Sequence, residues 1–217
     1  MIGATMGDHD VGDGSCSPWE PILVENASLA GASGTLVGEA KGSSREPTLS
    51  IRAARESDLE TILEIYNQAV VHTTATFDVV PRSLEAQRAW FAEHGGRYPV
   101  VVWEEDGRVL AWGSISPYGS RPAYRFAGEV SVYVEPGSRR RGLGDEILRE
   151  LVALGVAGDF HTLVALITNE NEGGIRLAQG AGFHRTGTLE EVGYKFDRWL
   201  DVAVYQRSCD PRPASRR

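Results

Sequence analysis

The segment Arg139-Arg140-Arg141-Gly142-Leu143-Gly144 is the densest chemical signal in the 217 residues. Residues 129–134, Glu-Val-Ser-Val-Tyr-Val, precede it with the alternation of a strand. Leu143, Ile147, Leu148, Leu151 and Leu154 follow it at helical spacing. The motif therefore joins a strand to a helix. Its glycines remove side chains and let the backbone approach a ligand. The free N–H groups of the first helical turn, and the positive end of the helix dipole, favour a phosphate or pyrophosphate there. Three arginines add donors and charge. No Gly-Lys-Ser/Thr follows, so this is not a P-loop, and Ile147 stands where the dinucleotide fingerprint needs its third glycine. By themselves these residues also fit a solvated basic turn before an ordinary helix.

The surrounding chain supplies the elements that must position this loop. Leu49, Ile51 and Ala53 alternate as in a half-buried strand, and Ser57 with Glu60 has capping-box spacing for a helix carrying Leu59, Ile62, Leu63, Tyr66 and Val70 on one face. A second helix is expected from Ser83, with Leu84, Trp90 and Phe91 turned inward. Residues 100–105 and 109–115 read as a hairpin turning at Asp106-Gly107, a pair that tolerates positive φ. Beyond the motif helix (about 142–156), residues 162–167 form a continuous apolar run suited to a buried strand. A short helix over about 172–181 stops at Gly182, and two strands are expected near 185–189 and 199–206. The order β-α-α-β-β-β-α-β-α-β-β predicts a mixed α/β layer, a central sheet flanked by helices.

Composition narrows the function classes. Thirty acidic residues against 22 basic ones leave a net charge of −8, which argues against a nucleic-acid partner. No run of about 18 apolar residues exists for a membrane span, and no charged-then-apolar leader opens the chain. Cys16 and Cys209 alone cannot build a zinc site and suit a reducing cytoplasm. His72, His94, His161 and His184 have no metal-ligand spacing, so no metal is expected. Residues 1–47 are Gly-rich, with seven acidic side chains and two basic ones, and bury too little to offset their ordering entropy. The expected organisation is a flexible head over 1–47, a catalytic domain over 48–207 and a flexible tail over 208–217.

With the Arg139–Gly144 motif, the strand before it and Asn171…Gly182-Phe183 after it, the chain resembles the GCN5-related N-acetyltransferase (GNAT) superfamily, whose acyl-CoA motif is Gln/Arg-x-x-Gly-x-Gly/Ala. Tyr66-Asn67, residues 73–77 (Thr-Thr-Ala-Thr-Phe), Arg121-Pro122-Ala123-Tyr124, the strand at 129–134 and residues 192–201 are similar to the phosphinothricin/methionine sulfoximine acetyltransferase branch. The likeness covers about residues 49–207.

That resemblance implies a cosubstrate, acetyl-CoA, and roles for particular residues. Val132, Tyr133 and Val134 would offer strand backbone to the pantetheine arm. Backbone amides of Arg140, Arg141, Gly142, Leu143, Gly144 and Asp145 would cradle the pyrophosphate, with Arg139 and its neighbours supplying charge. Asn171 would bond the pantetheine region. Glu129 would be the catalytic base, directly or through a water, and an N–H near Val132 would stabilise the oxyanion. Without the resemblance, Glu129 reads first as an edge-strand carboxylate paired to an arginine. Arg121 and Tyr124, with Arg125 as a looser candidate, would meet an anionic amino-acid-like substrate, because the guanidinium fork matches paired oxygens. Thr76 and Phe77 would wall the amine side, with Lys195 and Trp199 near the site and a subunit contact. Core packing is the competing role for the aromatic residues.

The sequence departs from the branch at Ala178, where family members carry His or Tyr, and at Gly174, often Ser. Gly173, Gly174 and Gly180 make that helix intrinsically weak. The expected activity is transfer of acetyl to the amine of phosphinothricin, methionine sulfoximine or sulfone, or an ordinary amino acid, by a cytoplasmic homodimer that confers resistance to such inhibitors. Acetylation of a protein N-terminus or lysine, and coenzyme sensing without turnover, are the rival readings.

Overall fold

The computed structural model describes residues 48–209. The elements follow in the order β1 (Leu49–Ala53), α1 (Leu59–His72), α2 (Leu84–Ala92), β2 (Val100–Glu105), β3 (Arg108–Pro117), β4 (Ala127–Val134), α3 (Leu143–Ala157), β5 (Thr162–Thr168), α4 (Glu172–Gly180), β6 (His184–Lys195) and β7 (Arg198–Ser208). This is the expected order. The head and most of the tail lie outside the described residues. The folded part runs on past 207, since β7 ends at Ser208 and the buried Cys209 donates its N–H to the His161 carbonyl at 3.0 Å.

Local chemistry sets the ends of several elements. Asp106 and Gly107 take φ of 50° and 82° in the tight turn between β2 and β3. The Ser83 hydroxyl accepts from the Ala86 N–H at 3.1 Å and starts α2. The box expected at Ser57 and Glu60 does not form. Residues 56–58 make a 3₁₀ turn, and the Asp58 carboxylate accepts from the Arg55 N–H at 2.7 Å and from Arg52 at 2.7 and 3.0 Å. An ionised acceptor with a cationic partner outcompetes a neutral hydroxyl for that position.

The seven strands form one sheet in the order β1-β2-β3-β4-β5-β7-β6. Every pairing is antiparallel except β4–β5, which is parallel. α3 and α4 cover one face over a core of Trp103, Ile115, Val130, Ile147, Leu151 and Leu163. α1 and α2 cover the other, over Ile62, Val70, Val102, Trp112 and Tyr133. β6 runs through a bulge between Leu189 and Gly193 and ends in a turn with positive φ at Phe196 and Asp197, so the β6–β7 hairpin is longer than expected.

Close packing of α3 on the sheet depends on Gly113 in β3. A Cβ there would lie 2.6 Å from Ile147 Cγ2 and 2.8 Å from the Ser131 carbonyl oxygen of β4. A backbone oxygen cannot swing away as a side chain can. Gly113→Ala is expected to destabilise the fold by about 1–3 kcal/mol, read as a lower urea midpoint at unchanged slope.

Candidate active site

The parallel β4–β5 pairing is short. It holds Ala127 to Thr162, Gly128 to Leu163 and Glu129 to Val164, and there it ends. β4 nevertheless continues along β3 to Val134, and β5 continues along β7 to Thr168. The two strands therefore part beyond Glu129 and open a cleft of about 750 Å³. The Glu135 N–H bonds the Leu110 carbonyl at 2.9 Å, which phases the ladder. By the antiparallel alternation, the backbone of 129, 131 and 133 faces β3, and that of 132 and 134 faces the gap. Val132 and Val134 thus present unpaired strand backbone to the cleft. Tyr133 lines it too, but its backbone is committed to β3, and its ring stacks on Trp112 at 4.8 Å and meets Tyr66 edge-on.

The Arg139–Gly144 loop closes one end of the cleft. Gly142, at φ 88°, turns the chain into α3 as its N-cap without a side-chain cap, so the first N–H groups of the helix remain available. Arg139, Arg140, Gly142, Leu143, Gly144 and Asp145 all line the cleft. Arg139 Nε reaches the Val134 carbonyl at 3.5 Å. The side chain of Arg141 points elsewhere, bonding Glu105 at 2.7 Å and lying over the Trp103 ring.

Asn171 stands opposite, at the start of α4. Its Oδ1 accepts from the Gly174 N–H at 3.0 Å, capping a helix weakened by glycines. A Cβ on Gly174 would come within 2.8 Å of Asn171 Nδ2, so the glycine lets the amide sit close against the helix. Ala178 is 2% exposed, in the core beneath α4, and does not line the cleft.

Glu129 lies at the apex where the strands part, on the sheet face covered by α1 and α2. Its carboxylate makes no hydrogen bond or ion pair among the described residues, and burial pushes it above the ordinary carboxylate range. The arginine pairing that competed as its role is absent. Across the register stands Ser116, whose hydroxyl is 2.9 Å from His94 Nε2. His94 Nδ1 lies 2.7 Å from the Trp90 carbonyl and so carries the proton; burial lowers this imidazole's pKa and keeps it neutral.

The segment after α1 builds a wall beside this face. Tyr66 donates to Asp78 at 2.6 Å and lies 3.0 Å from the Thr76 hydroxyl; burial, and then Asp78, push its phenol up to about 12. The Asn67 side chain pairs with both backbone groups of Arg82, at 2.8 and 3.0 Å. Lys195 is buried, with its pKa lowered by that burial, and donates to the Thr76 carbonyl at 2.7 Å. Phe77 packs against Gly193, where any Cβ would overlap the ring. Thr76, Phe77 and Lys195 are thus brought together, but none lines the main cleft.

The remaining expected residues are exposed. Arg121 and Tyr124 lie in the 3₁₀ turn ahead of β4. The Arg121 side chain makes no hydrogen bond or ion pair among the described residues, its carbonyl accepts from the Tyr124 N–H at 2.9 Å, and Tyr124 meets Tyr118 edge-on. Trp199 is 61% exposed and contacts Tyr194, so core packing is not its role.

Sequence reasoning missed a strap across the cleft mouth. Arg198 grips Glu170 with two bonds, at 2.5 and 2.7 Å, and the Thr74 hydroxyl adds a third at 2.9 Å. Arg198, then Thr74, hold the Glu170 carboxyl below its usual range. The strap joins the segment after α1, the β5–α4 connection and the start of β7. Only the residues' charge was visible beforehand, not their convergence. Among the described residues, no group of three or more His, Cys, Asp and Glu side chains could hold a metal ion.

Residues 51–204 match the family described as "Acetyltransferase (GNAT) domain". The chain is 38% identical over 165 residues to the L-amino acid N-acyltransferase MnaT of Escherichia coli, an alignment spanning 76% of this chain and 96% of that protein. It is 36% identical over 167 residues to an L-methionine sulfoximine/L-methionine sulfone acetyltransferase of Salmonella typhimurium, spanning 76% and 98% respectively. Its fold is similar to a GNAT superfamily phosphinothricin acetyltransferase from Sinorhizobium meliloti solved in complex with acetyl-CoA. The TM-score is 0.71 at 36% identity, covering 74% of this chain and 88% of that one.

Asn171 combines a cap with a place on the cleft wall, and the two can be separated. Asn171→Ala is expected to destabilise the protein by about 1 kcal/mol, and Asn171→Asp, which keeps the acceptor, to retain stability. Thermal denaturation of both variants checks this.

Proposed function

The chain belongs to the GNAT family of acetyltransferases, and on that premise we propose that it moves acetyl from acetyl-CoA to the amino group of a small amino-acid-like molecule, phosphinothricin or methionine sulfoximine/sulfone foremost. The observation that carries this reading is the parting of β4 and β5, which opens strand backbone beside the uncapped start of α3. The donor set fits the coenzyme. Strand N–H and C=O groups at Val132 and Val134 suit the amides of a pantetheine arm. The N–H groups of residues 140–145, with Arg139 and Arg140, suit a pyrophosphate. Asn171 faces them across the cleft. Bound there, the coenzyme supplies a thioester whose acyl carbon is open to attack.

The chain's own part is to present the amine and remove its proton. Glu129 is the proposed base: its carboxylate is half-buried and has no partner among the described residues, so it binds a proton more readily than an ordinary carboxylate. Arg121, whose side chain has no partner among the described residues, and Tyr124 lead into the strand that carries Glu129 and are the proposed contacts for the substrate's anionic group. Thr76, Phe77 and Lys195 wall the amine side. Ala178 offers no proton donor, and a coenzyme thiolate leaves readily without one. The exposed apolar row of Leu189, Val192, Tyr194, Phe196 and Trp199 on the β6–β7 hairpin supports a homodimer. No described helix is long and apolar enough to cross a membrane. A cytoplasmic location and resistance to glutamine-synthetase inhibitors belong to the same proposal.

A thiol-release assay with acetyl-CoA tests the reading. Turnover with phosphinothricin, methionine sulfoximine or amino acids supports it; turnover with peptides alone, or with neither, overturns it. Glu129→Gln is expected to lower kcat about 10²–10⁴-fold. The base works deprotonated, so wild-type kcat/KM should rise with pH through a raised carboxyl pKa, and the variant should lose that limb. Folded Glu129 also holds its proton to higher pH than the unfolded chain does. Its ionisation therefore removes stability as pH rises from the ordinary carboxylate range through the raised one. Glu129→Gln should raise the urea midpoint at pH 7 while lowering the rate.

A further inference from the structure

Two contacts flank the loop that enters α3, and both return to β2. Ahead of Gly142, Arg141 bonds Glu105 at 2.7 Å, with its guanidinium carbon 5.9 Å from the centre of the Trp103 ring. Behind Asp145, Glu146 in the first turn of α3 accepts from Trp103 Nε1 at 2.9 Å. Trp103 is 3% exposed and held in the core beneath α3. Residues 142–145, whose N–H groups open the helix, are therefore suspended between two anchors on one strand end. Of the three consecutive arginines, Arg139 and Arg140 line the cleft and Arg141 does not.

We propose that Arg141 is a positioning residue, a brace that with Glu105 and Trp103 fixes the loop, and not a cationic ligand of the coenzyme phosphates. The inference rests on the reading of the cleft as the acetyl-CoA site. Its physical basis is preorganisation. A loop with positive φ at both Arg140 (64°) and Gly142 (88°) has many alternatives in solution, and a ligand that must order it loses affinity by that amount. A guanidinium already neutralised by a carboxylate offers little to a phosphate. The brace thus explains why three adjacent arginines divide their work, two toward the cleft and one toward the sheet.

The two roles give opposite signs for Glu105. If Arg141 were a phosphate ligand restrained by Glu105, Glu105→Ala would release it and tighten acetyl-CoA binding. If Arg141 is a brace, Glu105→Ala loosens the loop and weakens binding. Calorimetric titration with acetyl-CoA of the full chain, Glu105→Ala, Arg141→Ala and the double variant separates them. The expected result is a two- to fivefold rise in Kd, roughly, for each single variant, the range of a part-exposed ion pair. The double variant should be no weaker than the weaker single one. Amide exchange of residues 139–146 without ligand should quicken in both single variants. The KM for the amine and the kcat of Glu105→Ala at saturating acetyl-CoA should stay at wild-type values. Unchanged or tighter binding by Glu105→Ala, or additive losses in the double variant, overturns the brace. Absence of binding by the wild-type chain overturns the cofactor reading, and the brace with it.

Discussion

The rest of this protein depends on one interrupted ladder. β4 and β5 pair for three residues and then separate, while each keeps its other neighbour over its whole length. Strand backbone left unpaired inside a fold is costly unless something satisfies it. Here water or a ligand must do so at Val132 and at the Val134 N–H, while Arg139 Nε reaches the Val134 carbonyl. The loop after β4 then delivers a second set of unpaired groups, the first N–H donors of α3, to the end of the same gap. A strand edge and a helix start are the two places where a backbone advertises hydrogen bonds, and the splay brings them together. A long ligand with amides along its arm and phosphates at its end matches that layout with few dedicated side chains.

Parting the strands would leave β5, β7 and β6 hinged to the remainder by three residue pairs, were it not for ties on the other sides. The core under α3 joins both halves on one face, and the segment after α1 supplies ties on the other. It receives Lys195 from the end of β6 through the Thr76 carbonyl, Phe77 packs on Gly193, and Thr74 joins the Glu170–Arg198 pair. Exposed ion pairs are each worth little. A bidentate pair with a third bond, beside a buried lysine and a close ring contact, sets the distance between the two halves more firmly than any one of them. The branch-like blocks at residues 66–67, 73–77 and 192–201 therefore meet in one wall, with Tyr66 and Lys195 on Thr76 and Phe77 on Gly193.

The elements and their order were legible, because hydrophobic periodicity, the Asp106-Gly107 turn, the Ser83 cap and the Gly182 stop are local signals. The loop Arg139–Gly144 was legible for the same reason. What local signals cannot carry is the identity of partners far along the chain. Ser57 had the spacing of a cap, yet Asp58 took that place because Arg52, itself held by Glu104 from 52 residues further on, favours a carboxylate there. Three arginines looked alike until Glu105, 36 residues earlier, distinguished Arg141. Val132, Tyr133 and Val134 looked equivalent until the pairing with β3 assigned alternate backbone groups to opposite sides. The aromatic residues divided in a way that composition could not foresee, with Tyr133 inside and Trp199 largely outside.

The same interruption accounts for the chemistry expected of Glu129. A carboxylate on the residue where β4 last pairs with β5 is half-buried on the face covered by α1 and α2, and no arginine or donor reaches it among the described residues. Its burial is uncompensated, and the raised pKa follows from that alone. A salt bridge at this position would make the protein easier to fold and the carboxylate a poorer base, since a paired carboxylate holds a proton only at low pH. Leaving Glu129 without a partner therefore costs stability once the group ionises and keeps its proton affinity above that of an ordinary carboxylate. Opening the ladder after Glu129, and not before it, sets the proposed proton acceptor at the apex of the gap and the unpaired backbone beyond it. The boundary between paired and unpaired strand is what orders the site.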